Sequence, residues 1–203
     1  MSTSTDDFPP TRSSLLSRVR HPSDAESWRV FHAQYERLVF QVCLKAGLKK
    51  EDAEDVAQEA LAAVAAQMPE FRLDRAKGSF RGWLYRITSN KVADFLRKKY
   101  REGAVRTELS PEMLEAAPDG EAVIESAWDE EWHGYLLGRA LENVKDQVSA
   151  RSLQIFHLGA VNGWSTEQIR ATLGLGRTPV YLARYRVGLL VKKEIARLRR
   201  ELE

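Results

Sequence analysis

The sequence predicts an all-α protein of two small helical domains joined by an acidic linker, and three observations predict it. Apolar residues recur at spacings of three and four along most of the 203 residues, with no strand-like alternation and no internal repeat. Turn-forming residues gather in one stretch, 102–121, with Gly103, Pro111, Pro118, Asp119 and Gly120. Charge is sorted into blocks that a net charge of only +2 conceals. Residues 51–70 carry six acids and no Lys or Arg, whereas residues 71–101 carry ten cations against Asp74 and Asp94. Nine acids and no Lys or Arg lie between Arg106 and Arg139, and residues 177–203 hold eight cations against three acids. The expected divisions are a disordered or short N-terminal segment (1–22), a first domain (23–101), an acidic linker (102–135) and a second domain (136–203).

The elements follow in order. "MSTSTDDFPP" is acidic and lacks the apolar stretch of a secretion signal. In "HPSDAESWRVFHAQYERLVFQVCLKAG" a capping box, Ser23 to Glu26, precedes Trp28, Phe31, Tyr35, Leu38 and Val42 at helical spacing, and Gly47 ends the helix. "EDAEDVAQEALAAVAAQM" keeps Val56, Ala57, Ala60, Leu61 and Val64 on one side and stops before Pro69; residues 69–78 read as a loop. From Ser79, the positions Phe80, Trp83, Leu84 and Ile87 fit a helix, but Val92, Phe95 and Leu96 are displaced in phase. Thr88, Ser89 and Asn90, which favour caps, lie between the two sets. The pattern fits a short break there, and equally one continuous helix with a rotated face.

Residues 122–145 resume helical patterning with Val123, Ala127, Trp128, Trp132, Tyr135 and Leu136. Near the end, Asn162-Gly163 makes a turn, Ser165 with Gln168 a capping box, and Ile169 and Leu173 the apolar face of a short helix. A tight turn at "GLGR" follows, with Thr178 as N-cap and Pro179 as first residue of a long helix through Val180, Val187, Val191 and Leu198. Two helices joined by a glycine-containing turn, the second one basic, form the helix-turn-helix pattern.

Composition excludes several functions. Cys43 is the one cysteine, so there is no internal disulfide or cysteine-rich zinc site, and the chain reads as a protein of the reducing cytoplasm. No apolar run reaches the length that spans a bilayer. His21, His32, His133 and His157 are isolated, and no glycine-rich nucleotide cradle is present. Asp52, Asp55 and Glu59 share a helix face, but no Glu-x-x-His accompanies them. We therefore expect no catalytic residue, no metal and no cofactor.

What remains are surfaces. Asp52, Asp55, Gln58 and Glu59 fall opposite Val56, Ala60 and Val64, as a solvated face or the surface for a basic partner. The aromatic and cationic residues of 77–101 are the footprint of a polyanion. In the long last helix Val180, Val187 and Val191 turn inward and Tyr181, Leu182, Tyr185 and Arg186 outward. These suit thymine methyls and sugars, with Arg177, Arg184 and Arg186 for phosphates or guanine edges; alternatively Leu182 and Tyr185 pack against the linker helix.

Together these segments resemble bacterial RNA polymerase sigma factors of the sigma-70 family, extracytoplasmic-function type. "EDAEDVAQEA" resembles their region 2.2, "FRLDRAKGSFRGWLYRITSNKVADFLRKK" regions 2.3 and 2.4, and "NGWSTEQIRATLGLGRTPVYLARYR" region 4.2. The resemblance covers roughly residues 24–101 and 136–200. It implies a region 2 helical bundle and a region 4 helix-turn-helix. It also implies that Asp52, Asp55, Gln58 and Glu59 face the clamp coiled coil of core RNA polymerase. A break at Thr88, Ser89 and Asn90 would belong to the loop that captures an unstacked base of the minus-ten element. Trp83 and Tyr85 would build and line its pocket, with Trp83 read as core support, while Arg81, Arg86, Lys91, Arg97 and Lys98 hold phosphates. Arg177, Thr178, Tyr181, Leu182, Arg184, Tyr185 and Arg186 would meet the minus-thirty-five duplex. The implied function is a promoter-specificity subunit, not an enzyme. Its partners are core polymerase and promoter DNA, duplex and melted, with an anti-sigma protein as a further possible partner and no membrane. The alternatives are a helix-turn-helix regulator acting without polymerase and a carboxylate-metal helical bundle.

Overall fold

Helical spacing resolves into eight α-helices, one short 3-10 turn and no strand among the described residues of the computed structural model, which are 12–72, 78–101 and 118–203. Two units share them: one takes in the described residues up to Trp132, the other is His133–Leu202. The start of the chain, part of the loop expected at 69–78 and residues 102–117 of the expected linker lie outside the described residues.

The first unit begins with α1 (Arg12–Arg18), inside the segment expected to be disordered or short. Leu16 and Val19 are buried there, and α1 packs on α2. Helix α2 (Ala25–Lys45) is capped by Asp24, one residue after the expected Ser23. The Asp24 carboxylate accepts the Ser27 backbone N–H at 2.9 Å and pairs with Arg18 at 2.9 Å. A serine could make the first bond but not the ion pair. The Arg18 bond and the Ser27 N–H together hold the Asp24 carboxyl down to about 2. Phe31, Tyr35, Leu38 and Val42 are buried as their spacing requires, and Cys43 with them; burial pushes its thiol up to about 12.

Helix α3 (Lys50–Gln67) packs on α2 through Ala53, Val56, Ala57, Ala60, Leu61 and Val64, all buried. Small side chains on this face let the two backbones approach. Helix α4 (Phe80–Arg101) packs on α3 and runs unbroken through Thr88, Ser89 and Asn90. Of the two readings that the pattern fits, the continuous helix is present and the short break is not, and the reason is Thr88. Phe80, Leu84, Thr88 and Val92 stand four apart, are all buried, and form one core stripe. Counting Thr88 as polar creates an apparent change of phase. Its hydroxyl instead donates to the Leu84 carbonyl at 2.9 Å, which satisfies it without leaving the helix. At the head of α4 the Phe80 ring meets Tyr35 at 5.3 Å, Phe71 and Trp83 at 5.9 Å each, and Phe31 at 6.1 Å.

Helix α5 (Pro118–Val144) gives its residues up to Trp132 to the first unit and the rest to the second. The expected boundary between linker and second domain, at 135/136, therefore falls inside a continuous helix. In the second unit the 3-10 turn Lys145–Gln147 leads to α6 (Ala150–Ala160), α7 (Thr166–Leu173) and α8 (Arg177–Leu202). Ile155, Ile169, Val180 and Ala183 form their shared core, rimmed by Leu158, Trp164, Leu173 and Leu175. The Ser165–Gln168 capping box is present in both directions. Gly174 ends α7 in the left-handed conformation at φ 64°, where a side chain would be strained. Helix α8 starts at Arg177 rather than after Thr178. Pro179 is thus third in the helix, still within the first turn, where a missing N–H removes no intrahelical bond.

Candidate nucleic-acid interface and acidic face

The acidic face of α3 and the basic flank of α4 meet. Asp52 pairs with Lys99, and Glu59 with Lys91 at 3.3 Å, so two of the four expected docking residues hold cations of the neighbouring helix. Asp55 and Gln58 are exposed between them, and among the described residues Asp55 has no ion pair. The face is thus neither wholly solvated nor left entirely to an outside partner: part of its basic complement lies on α4.

The aromatic-basic residues of α4 divide by helix face. Arg86, Asn90 and Arg97 share an exposed stripe with Trp83 at its head. Arg97 bonds Asp94 at 2.7 Å, while Lys98 is exposed beside them. Trp83 is half-buried against Phe71, ring centroids 4.4 Å apart, so one face of its indole is committed to the core. Ser89 donates to the Arg86 carbonyl at 3.2 Å. Thr88, completely buried, presents no surface.

Arg81 and Tyr85 lie on a different edge, and α5 covers it. The Arg81 guanidinium pairs with Asp129 and stands 5.9 Å from the centroid of Trp132. The Tyr85 ring lies 5.6 Å from that of Trp128, and Trp128 and Trp132 stack at 5.8 Å. Burial, then the carboxylates of Glu125, Glu121 and Asp129, push the Tyr85 phenol up. Lys45 of α2 clamps the same stretch of α5 through Glu130 at 2.7 Å and Glu131 at 2.8 Å. A cleft of about 190 Å³ remains between Ser79, Arg81, Gly82, Tyr85, Glu125, Trp128 and Asp129. Sequence reasoning missed this contact. Its signal was the opposite sign of the charge runs on either side of residues 102–108.

In the helix-turn-helix, α8 exposes Tyr181, Leu182 and Tyr185 at 68, 40 and 56 %. The two tyrosine rings stack nearly parallel, centroids 6.4 Å apart. Arg186 is exposed as its spacing requires, Thr178 is exposed in the first turn, and Arg177 bonds Glu167 of α7 at 2.8 Å. Arg184 points inward instead. Its Nη1 donates to the Thr166 hydroxyl at 3.3 Å, and its guanidinium lies where a side chain on Gly159 would collide, 3.0 Å from a Cβ built there. Gly159 thus makes room for Arg184 on α6, a pairing invisible to spacing arguments.

Among the described residues, no cluster of three or more His, Cys, Asp or Glu is arranged to hold a metal, and no helix is long and apolar enough to cross a membrane. Residues 31–102 match the family model of sigma-70 region 2. The chain is similar to the ECF RNA polymerase sigma factor SigE of Mycolicibacterium smegmatis, 28 % identical over 82 % of this chain and 60 % of that protein. It is also similar to SigD of Mycobacterium bovis, named as an ECF RNA polymerase sigma factor, 30 % identical over 70 % of this chain and 63 % of that one. This chain belongs to the sigma-70 family, extracytoplasmic-function type. Within that family it is an all-α member; α3, α4 and α2 from Phe31 onward fall inside the matched region 2. The chain spans less than two thirds of the length of either curated relative. The solved structure of CnrH in complex with the cytosolic domain of CnrY is similar at 20 % identity and a TM-score of 0.37, over 89 % of this chain and 94 % of that one.

Proposed function

We propose that this sigma-family chain is a promoter-specificity subunit of bacterial RNA polymerase: it docks on the core enzyme, contacts minus-thirty-five duplex through α8 and captures melted minus-ten bases along α4. It acts in the cytoplasm through binding free energy and catalyses no bond change itself. The observation that carries the reading is the region 2 match over residues 31–102, within which the α3 acidic edge adjoins a helix whose exposed stripe combines Trp83, Arg86 and Asn90.

In this mechanism Asp55 and Gln58, exposed between two intramolecular ion pairs, meet a basic polymerase surface. Arg86, Arg97 and Lys98 hold phosphates, and Asn90 offers an amide to an extruded base beside Trp83. Asn90 does so from a helix rather than from a loop. Ser89, bonded to its own helix, and buried Thr88 shape α4 rather than touch the strand. Tyr181, Leu182 and Tyr185 meet groove methyls and sugars, flanked by Arg177, Thr178 and Arg186, while Arg184 sets the angle between α6 and α8.

Size-exclusion chromatography of the purified chain with core RNA polymerase tests the docking step. Co-elution is expected. Duplex binding without co-elution would favour a helix-turn-helix regulator that works without polymerase.

A further inference from the structure

We propose that the first half of α5 is a resident mimic of nucleic acid, seated on the Arg81–Tyr85 edge of α4, and that a single DNA strand must displace it to reach that edge. This rests on reading α4 as a strand-binding helix.

The chemistry matches group for group. Asp129 sets a carboxylate on the Arg81 guanidinium where a strand would set a phosphate. Trp128 sets an aromatic ring beside Tyr85 where a strand would set a base. Glu125 lines the same cleft and adds a second acid. Neighbouring acids Glu130 and Glu131 hold the helix down on Lys45, a cation outside α4, so the cover is anchored at one end while its tip lies over the strand edge.

The fit is also incomplete. Arg81 Nε and Trp128 Nε1 are buried donors with no acceptor among the described residues. A buried donor left unbonded weakens the contact that buries it, so the cover is held less firmly than a core contact. A phosphate oxygen entering from the cleft offers Arg81 Nε the acceptor that Asp129 does not. By contrast, the Arg86–Asn90 stripe faces away from α5 and stays open. The strand therefore has a first foothold on the open stripe and gains the second edge only as α5 leaves it.

The test uses the full-length chain and a fluorescein-labelled 15-nucleotide single strand of mixed sequence, read by fluorescence anisotropy. Glu125→Gln with Asp129→Asn removes the mimicking charges at exposed positions, leaving the core intact. Glu142→Gln with Asp146→Asn removes the same number of acids from the second unit and controls for net charge. The mimic pair should tighten strand binding about tenfold and the control pair less than about twofold at physiological salt. Adding Arg81→Ala to the mimic pair should erase the gain. Equal gains in both pairs, or no gain in either, would overturn the mimic while leaving strand binding by α4 in place. Failure of all of these proteins to bind the strand would overturn the strand-binding reading itself, and the mimic with it.

Discussion

Charge reversal along α3 separates docking from folding, because the three acids differ in what they do inside the chain. Asp55 is exposed and without an ion pair among the described residues, so Asp55→Lys should change stability by no more than about 0.5 kcal/mol. Glu59→Lys breaks an exposed pair with Lys91 and sets two cations together, costing about 1 kcal/mol. Asp52→Lys costs the most. Its pair with Lys99 leaves only 26 and 27 % of the two side chains exposed, and Asp52 sits in the first turn of a helix whose N-cap, Lys49, makes no side-chain bond. Losing the pair and reversing the charge at the positive helix end together cost about 2 kcal/mol, or roughly 10 °C in Tm for a domain this size. Docking should follow a different order. If the acidic edge meets a basic polymerase surface, Asp55→Lys loses at least about 2 kcal/mol of association, some thirtyfold in affinity. The assay is a pair of measurements per variant, thermal denaturation followed by circular dichroism and titration against labelled core polymerase. If Asp55→Lys binds core polymerase as tightly as wild type, or if affinity tracks Tm across the three variants, the acidic edge is structural and the reasoning fails.

Three further outcomes follow from the same geometry. Because the folded Asp24 carboxyl is held at about 2, below its ordinary value near 4, it contributes stability above pH 4 that is lost as pH falls from about 4 to about 2; acid titration by circular dichroism should show this loss in wild type and less of it in Asp24→Asn. Replacing thymine by deoxyuridine in upstream duplex removes only the C5-methyl, and should weaken binding by wild type but not by a Tyr181→Ser, Leu182→Ser, Tyr185→Ser variant, as gel-shift titration would show. Arg184→Ala should lower the Tm of the helix-turn-helix through the lost Thr166 and Gly159 contacts, whereas Arg186→Ala should leave Tm unchanged and flatten the salt dependence of duplex binding.

The helices were legible because their apolar spacing is regular and their caps are local. Val180, Val187 and Val191 turn inward, and Tyr181, Leu182 and Tyr185 outward, as a period of 3.6 requires. The misreadings came from residues whose role depends on a partner distant in sequence or on a hydroxyl's choice of acceptor. Thr88 looks like a helix breaker until its bond to the Leu84 carbonyl is seen. Asp24 outcompetes Ser23 as a cap because Arg18, on another helix, completes it. The clasp of Arg81 and Tyr85 by Asp129 and Trp128 joins residues more than forty positions apart, and Arg184 folds onto Gly159 of an earlier helix. Periodicity ranks faces of one helix; it does not say which faces meet.

Run-off transcription by core RNA polymerase with the purified chain, on a library randomised across the upstream and minus-ten positions, tests the central claim most directly. The expected transcripts are absent with core enzyme alone and start at a fixed distance from two enriched elements, and Asn90→Ala should change the minus-ten base preference or reduce the open-complex yield. Transcription no greater than core enzyme alone across the whole library would contradict it.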